Sequence, residues 1–241
     1  MSESWLTGKV VENRHWTETL FSLRVEGVRL GFRAGQFVRI ALDIGGQRIA
    51  RAFSFVNPPQ DPVLEFYGVI VPQGPLSPRL AELERGDSLY VAGNPAGFLV
   101  LSEVPQAQTL WLVATGTGIA PFLSILRTED PWKRFKDVVV VHAVRYAREL
   151  TYQELVEKSG ARYVTFVSRE AHATSLGGRI PIALRDGSLE ASAGIGIDMH
   201  SHFMLCGNPQ MLRDTTAALI ERGLRKHRRR APGHITVESF W

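Results

Sequence analysis

Thr109-Leu110-Trp111-Leu112-Val113-Ala114 runs directly into Thr115-Gly116-Thr117-Gly118-Ile119-Ala120-Pro121, and the join between the two decides the fold. The first segment is continuously apolar after Thr109, as a strand buried on both faces requires, and Ala120 to Arg127 then carry apolar residues at helical spacing. Buried strand, glycine turn and helix form the opening of a parallel crossover unit. The alternation continues with Val138 to His142, a helical pattern over Glu149 to Lys158, Arg162 to Val167, His202 to Cys206, and a helical pattern over Pro209 to Glu221. A parallel sheet covered by helices is expected here.

Upstream the rhythm differs. Short runs with a period near two, separated by Gly, Pro and Asn, predict antiparallel strands at Gly8 to Asn13, Leu20 to Val25, Gln36 to Ala41, Ile49 to Val56, Leu64 to Val71 and Ser88 to Ala92. One short helix interrupts them over Ser77 to Leu83, with Pro78 where a first turn tolerates it. The expectation is a β + α/β two-domain chain: an antiparallel β-barrel over residues 1–101, then a parallel-sheet α/β domain over residues 102–241, the change falling near Leu101 to Gln108.

The 241 residues, 44% hydrophobic and 22% charged, suit a globular chain with a sizeable core. One cysteine, Cys206, excludes an internal disulfide and any all-cysteine metal or iron-sulfur site built by this chain alone. No run reaches the roughly 18 apolar residues that a membrane span needs, and Met1 to Trp5 lack the pattern of a secretory leader, so a cytoplasmic location is expected. The net charge of +4 is unevenly placed: Arg225, Lys226, His227, Arg228, Arg229 and Arg230 form one basic run, readable as a solvated helix end and loop or as a surface for an anionic partner.

Three segments hold candidate chemistry. Ala114 to Pro121 fits a phosphate-binding turn at a helix start, or a plain tight turn. Arg51-Ala52-Phe53-Ser54 ends a strand with a guanidinium for phosphate, a ring for stacking and a hydroxyl for a ring nitrogen, or is an edge strand with a core Phe. Glu65 to Ser77 leads a strand into the short helix, whose first N–H groups could take a further phosphate oxygen.

Together, and with Val141 to Tyr146, Val167 to Glu170, Gly178 to Pro181, Leu205 to Pro209 and the ending Val237-Glu238-Ser239-Phe240-Trp241, these segments resemble the bacterial ferredoxin (or flavodoxin)-NADP reductases of the ferredoxin reductase-like flavoprotein superfamily. The resemblance spans essentially the whole chain. It implies an FAD-binding barrel, an NADP-binding α/β domain, hydride transfer between NADPH and FAD N5, and single-electron exchange with ferredoxin or flavodoxin, acidic carriers for which the basic run would serve as a docking surface. It also implies a monomer with no nucleic-acid or membrane partner and no metal. The alternatives within reach are an NADH-dependent flavin or oxygenase reductase of the same superfamily, and a non-catalytic flavin-binding sensor.

Residue by residue, the resemblance puts Arg51 on the FAD pyrophosphate, Ala52 beside it, Phe53 on the isoalloxazine and Ser54 near N5. Phe53 stands where many relatives have Tyr, which removes one hydrogen bond to the cofactor. Tyr67, Val69 and Ile70 would line the flavin, Pro75, Leu76 and Ser77 its phosphate side, and Thr117 the ring. Phe240 would cover the flavin face and Trp241 the adenine. For NADP it implies Thr115, Gly116, Arg145, Ser168, Arg169, Arg179, Cys206 and Gly207, with Arg169 and Arg179 on the 2'-phosphate. Ser54, Cys206 and Glu238 would form the polar surroundings of hydride transfer, by positioning rather than covalent attack.

Overall fold

The computed structural model describes residues 4–239, and the chain separates into two compact units. The first runs to Val100 and takes in Ala120–Arg127; the second holds Leu101–Ile119 and the chain from Thr128 onward.

In the first unit β1 (Trp5–His15), β2 (Leu20–Glu26), β3 (Phe37–Ile44), β4 (Gln47–Ser54), β5 (Leu64–Val69) and β6 (Ser88–Ala92) form one antiparallel sheet in the order β4-β3-β6-β1-β2-β5, with α1 (Ser77–Ala81) between β5 and β6. An antiparallel bridge between Phe55 and Phe66 brings the two end strands together, so the sheet curls around its inward side chains. Phe21, Leu23, Ile40, Phe66, Leu80 and Leu89 fill that interior, and Phe32 stacks on Phe55 with ring centroids 3.9 Å apart. Each such fully buried side chain contributes roughly 2 kcal/mol. The period-two reading located all six strands; β1 extends beyond Gly8 to Asn13 at both ends.

The second unit has β7 (Thr109–Thr115), α3 (Asp130–Arg134), β8 (Asp137–Val144), α4 (Gln153–Ser159), β9 (Arg162–Val167), β10 (Leu176–Gly177), α5 (Ile180–Asp186), α6 (Ser188–Ala193), β11 (Ser201–Gly207), α7 (Pro209–Glu221) and β12 (Ile235–Ser239). All sheet pairings are parallel, in the order β10-β9-β8-β7-β11-β12. Trp111 on β7 and Phe203 on β11 stack at 5.4 Å in the core. The helix expected to begin at Glu149 begins at Gln153, because Ala147–Glu149 forms a separate tight turn and Tyr152 takes a left-handed backbone, φ 57°.

α2 (Ala120–Leu126), directly after the glycine turn, belongs with the first unit. Ser124 Oγ donates to Asn57 O at 2.7 Å, and Arg127, just beyond the helix, pairs with Glu65 at 3.2 Å and Asp61 at 3.5 Å.

Candidate functional site

In the first unit the end of β4 holds the residues expected at the flavin. Arg51 and Ala52 are exposed, Phe53 is half-buried, and Ser54, opposite Phe37 on β3, is only 2% exposed. Arg51 donates to its neighbour's carbonyl, Ala50 O, at 2.7 Å. Phe53 meets Phe66 edge-on, centroids 6.4 Å apart. The Ser54 hydroxyl is buried with no hydrogen-bond partner among the described residues. An unpaired buried hydroxyl costs about 1–3 kcal/mol, so a polar ligand atom at Ser54 Oγ removes a standing penalty.

The path after Ser54 is pinned by Asn57, whose Oδ1 accepts from Glu65 N at 2.8 Å and whose carbonyl accepts from Ser124. Along β5 and beyond, Tyr67 is buried, while Val69 and Ile70 are half-buried. Ser77 Oγ accepts from Val71 N at 2.9 Å and closes the loop that carries exposed Pro75. Leu76 is 2% exposed and packs into the barrel core, so only its backbone can face a ligand.

In the second unit the strand ends of β7 and β11 meet. Gly118 lies so close to β11 that a Cβ would stand 2.6 Å from Cys206 O. Gly207 has φ +132°, and a Cβ there would stand 2.2 Å from Thr115 Oγ1. That hydroxyl is held in place, accepting from Asn208 N at 2.9 Å. Asn208 in turn caps α7, its Oδ1 accepting from Gln210 N and Met211 N, with Pro209 in the first turn. Thr115, Gly116 and Thr117 are half-buried beside this contact. Gly118 and Gly207 thus pack the two strand ends backbone against backbone, while Gly116, with nothing within 4 Å of where a Cβ would stand, leaves the turn open for the close approach of a dinucleotide.

Cys206 is fully buried and pairs in register with Glu238 on β12. Burial, aided by the Glu238 charge, pushes its thiol pKa well above the ordinary value, so the sulfur stays protonated and is no nucleophile.

The turn has a support not singled out in the sequence. His142, fully buried on β8, places Nε2 3.0 Å from Gly116 O and so donates to it, with Nδ1 3.3 Å from Tyr163 OH. Burial lowers its pKa to about 4, from an ordinary value near 6.5. Between those two values the unfolded chain holds a proton that the folded chain refuses, so stability is complete above pH ~6.5 and falls with acidification toward pH ~4, by ~3 kcal/mol over the window. Urea titrations at several pH values are expected to show this slope; His202, buried on β11 with its pKa lowered to about 3, adds to it in the same direction, so His142→Gln is expected to reduce the slope between pH ~4 and ~6.5 and not to abolish it, and an unchanged slope would remove the role.

The tips of β8, β9 and β10 gather the expected dinucleotide cations. Arg169 N donates to Arg145 O at 2.9 Å, and Ser168 Oγ donates to Val144 O at 3.2 Å. Gly177 on β10 is in register with Val167 on β9, so Arg179, two residues on, follows β10 at the sheet end where Ser168 and Arg169 follow β9. Arg169 lies 5.9 Å from the Tyr146 ring. Glu149, buried, accepts from Arg145 N and from Arg145 Nη2, both at 3.0 Å, which offsets the Arg145 charge locally; Arg169 and Arg179 are exposed, as is Arg148, 5.3 Å from the Tyr146 ring. Glu149 and Tyr146 are further residues the sequence reading passed over: a Glu four places after an Arg was its visible signal.

The basic run forms an exposed loop between α7 and β12. Arg228 and Ala231 bond reciprocally at 3.1 and 2.9 Å, and Arg229 forks onto Glu103 at 2.7 and 2.8 Å. Phe240 and Trp241 lie outside the described residues.

Residues 6–99 match the family described as oxidoreductase FAD-binding domain, and residues 112–217 the family described as oxidoreductase NAD-binding domain. The chain is 51% identical over 245 residues to the flavodoxin/ferredoxin–NADP reductase of Escherichia coli (strain K12), the alignment covering 98% of this chain and 99% of the relative. It is 34% identical to a ferredoxin–NADP reductase of Pseudomonas aeruginosa, covering 96% of each. Among solved structures, a ferredoxin NADP+ reductase from Neisseria gonorrhoeae with bound FAD and NADP superposes with a TM-score of 0.95 at 32% identity, covering 98% of this chain and 99% of that one.

Proposed function

Because the chain belongs to the flavodoxin/ferredoxin–NADP reductase family, with the family's FAD- and NAD-binding oxidoreductase domains both present, we propose the following division of labour among its residues. The protein is an FAD-dependent oxidoreductase that exchanges a hydride with NADP(H) and single electrons with a flavodoxin or ferredoxin. Bound FAD supplies the conversion between two-electron and one-electron chemistry. Arg51 holds the cofactor's pyrophosphate, Phe53 stacks on its ring system, and Ser54 Oγ hydrogen-bonds to a ring nitrogen. The observation that supports the flavin assignment is the buried hydroxyl of Ser54, which has no hydrogen-bond partner among the described residues.

Thr115, Gly116 and Gly207 accept the nicotinamide half of NADP(H), with Cys206 and Glu238 providing its polar surroundings. Cys206 acts by shape and by a weak S–H donor. Arg169 and Arg179 select the 2'-phosphate, with Arg145 held by Glu149 and Ser168 beside them. Among the described residues no helix is long and apolar enough to cross a membrane. A cytoplasmic monomer, serving acidic carriers that dock on the basic loop, completes the reading.

The test is an anaerobic visible spectrum titrated separately with NADPH and NADH. Two oxidised-flavin bands bleached much faster by NADPH are expected. Equal or faster bleaching by NADH would instead favour an oxygenase-type reductase, and a colourless protein that takes up no FAD would end the assignment. Docking on the basic loop adds a salt effect: raising ionic strength from about 0.05 to about 0.5 M is expected to lower kcat/KM for a flavodoxin about tenfold and to leave ferricyanide reduction within about twofold.

A further inference from the structure

A groove of about 340 Å³ opens between α7 and β12 in the second unit. Its apolar lining is Pro209, Leu212, Ile235 and Val237, its cations are Arg213 and Lys226, and His227 stands beside them, with no carboxylate among the described lining residues. Val237 is 41% exposed, a large apolar side chain left open to solvent inside a cationic rim. Arg213 is bonded to a neutral group, Gln210 Oε1, at 2.6 Å, so its charge is not offset there. Arg229 in the neighbouring loop differs, being forked onto Glu103. The basic run is thus divided by structure. Lys226 and His227 face the groove, while Arg229 is committed to a carboxylate within the chain.

We propose that this groove is the seat of the electron carrier's contact segment: an acidic loop that inserts one apolar side chain against Leu212 and Val237 while its carboxylates meet Arg213 and Lys226. The inference rests on the carrier-reductase reading above and narrows it from a charged surface to one cleft. Three features select this occupant. The volume accommodates one or two side chains, at the small end for a ligand pocket. The apolar floor supplies an anchor that gains from desolvation. The cations on the rim attract an acidic partner and repel a basic one.

The experiment measures steady-state reduction of a purified bacterial flavodoxin and, in parallel, of ferricyanide, with NADPH as donor. Arg213→Glu/Lys226→Glu is compared with a charge-matched control, Lys133→Glu/Lys158→Glu, whose lysines lie on the exposed surfaces of α3 and α4. The groove variant is expected to raise KM for flavodoxin at least about tenfold, the control less than about threefold, and both to keep ferricyanide rates near wild type. Equal shifts in the two variants, or none in the groove variant, would overturn the cleft and leave the reductase reading standing. A wild type that reduces ferricyanide but no flavodoxin or ferredoxin would sink the carrier reading and the cleft with it. Sedimentation of the wild type and the groove variant supplies the remaining outcome: a dimer that the double substitution dissolves would assign the groove to a second copy and overturn the proposal.

Discussion

Gly207→Ala is expected to lower the thermal midpoint by about 10 °C and to slow flavin bleaching by NADPH at least a hundredfold. A φ of +132° is a glycine conformation, and the added methyl would stand 2.2 Å from Thr115 Oγ1, 2.9 Å from Thr115 O and 3.0 Å from Thr115 N. The hydroxyl cannot swing aside without giving up its bond to Asn208 N, and Asn208 is the cap of α7. Backbone strain and overpacking together cost ~4 kcal/mol, at 2–4 °C per kcal/mol for a chain of this size. Displacement of the turn by even about 1 Å moves the surface proposed to orient the nicotinamide, and hydride transfer is steep in that geometry. Calorimetry and stopped-flow bleaching check the two halves separately. A variant with an unchanged midpoint and unchanged bleaching would show that this strand-end contact is not needed.

Arg169→Ala/Arg179→Ala is expected to raise KM for NADPH about a hundredfold, equivalent to ~3 kcal/mol for two charge-assisted contacts, and to leave KM for NADH within about threefold. NADH lacks the 2'-phosphate that these cations are proposed to read. Arg145→Ala alone is the internal contrast, since Glu149 already satisfies that guanidinium and the substitution takes the ion-pair partner from a buried carboxylate that keeps its backbone donors, Arg145 N and Tyr146 N. It should cost stability more than discrimination. If the double variant kept its preference for NADPH, the 2'-phosphate would have to be read elsewhere on the chain.

Much of this was legible in the residue order because burial on both faces and burial on one face leave different rhythms. Continuous apolar runs marked β7, β8, β9 and β11, and alternation marked β1 to β6. α5 and α6 went unread for a physical reason. They are separated by Gly187 at φ +79°, so the helical period is broken and restarted in mid-stretch. Tyr152 escaped in the same way, since a left-handed backbone at a tyrosine has no signature in composition. At the candidate site, family resemblance named Ser54, Cys206 and the arginines, but roles such as that of His142 depend on which carbonyl a buried ring meets. That is fixed by the register of β7 against β8, where Ala114 lies opposite His142, and not by spacing along the chain.

The grouping of α2 with the first unit has a consequence for anyone recombining such proteins. A graft that takes residues 1–100 as a self-sufficient cassette would leave Asn57 O without its Ser124 donor, and Asp61 and Glu65 without Arg127. The transplantable cassette is discontinuous. A functional chimera has to carry the eight residues of Ala120–Arg127 across with the barrel, stitched into a host whose glycine turn comes from the other parent.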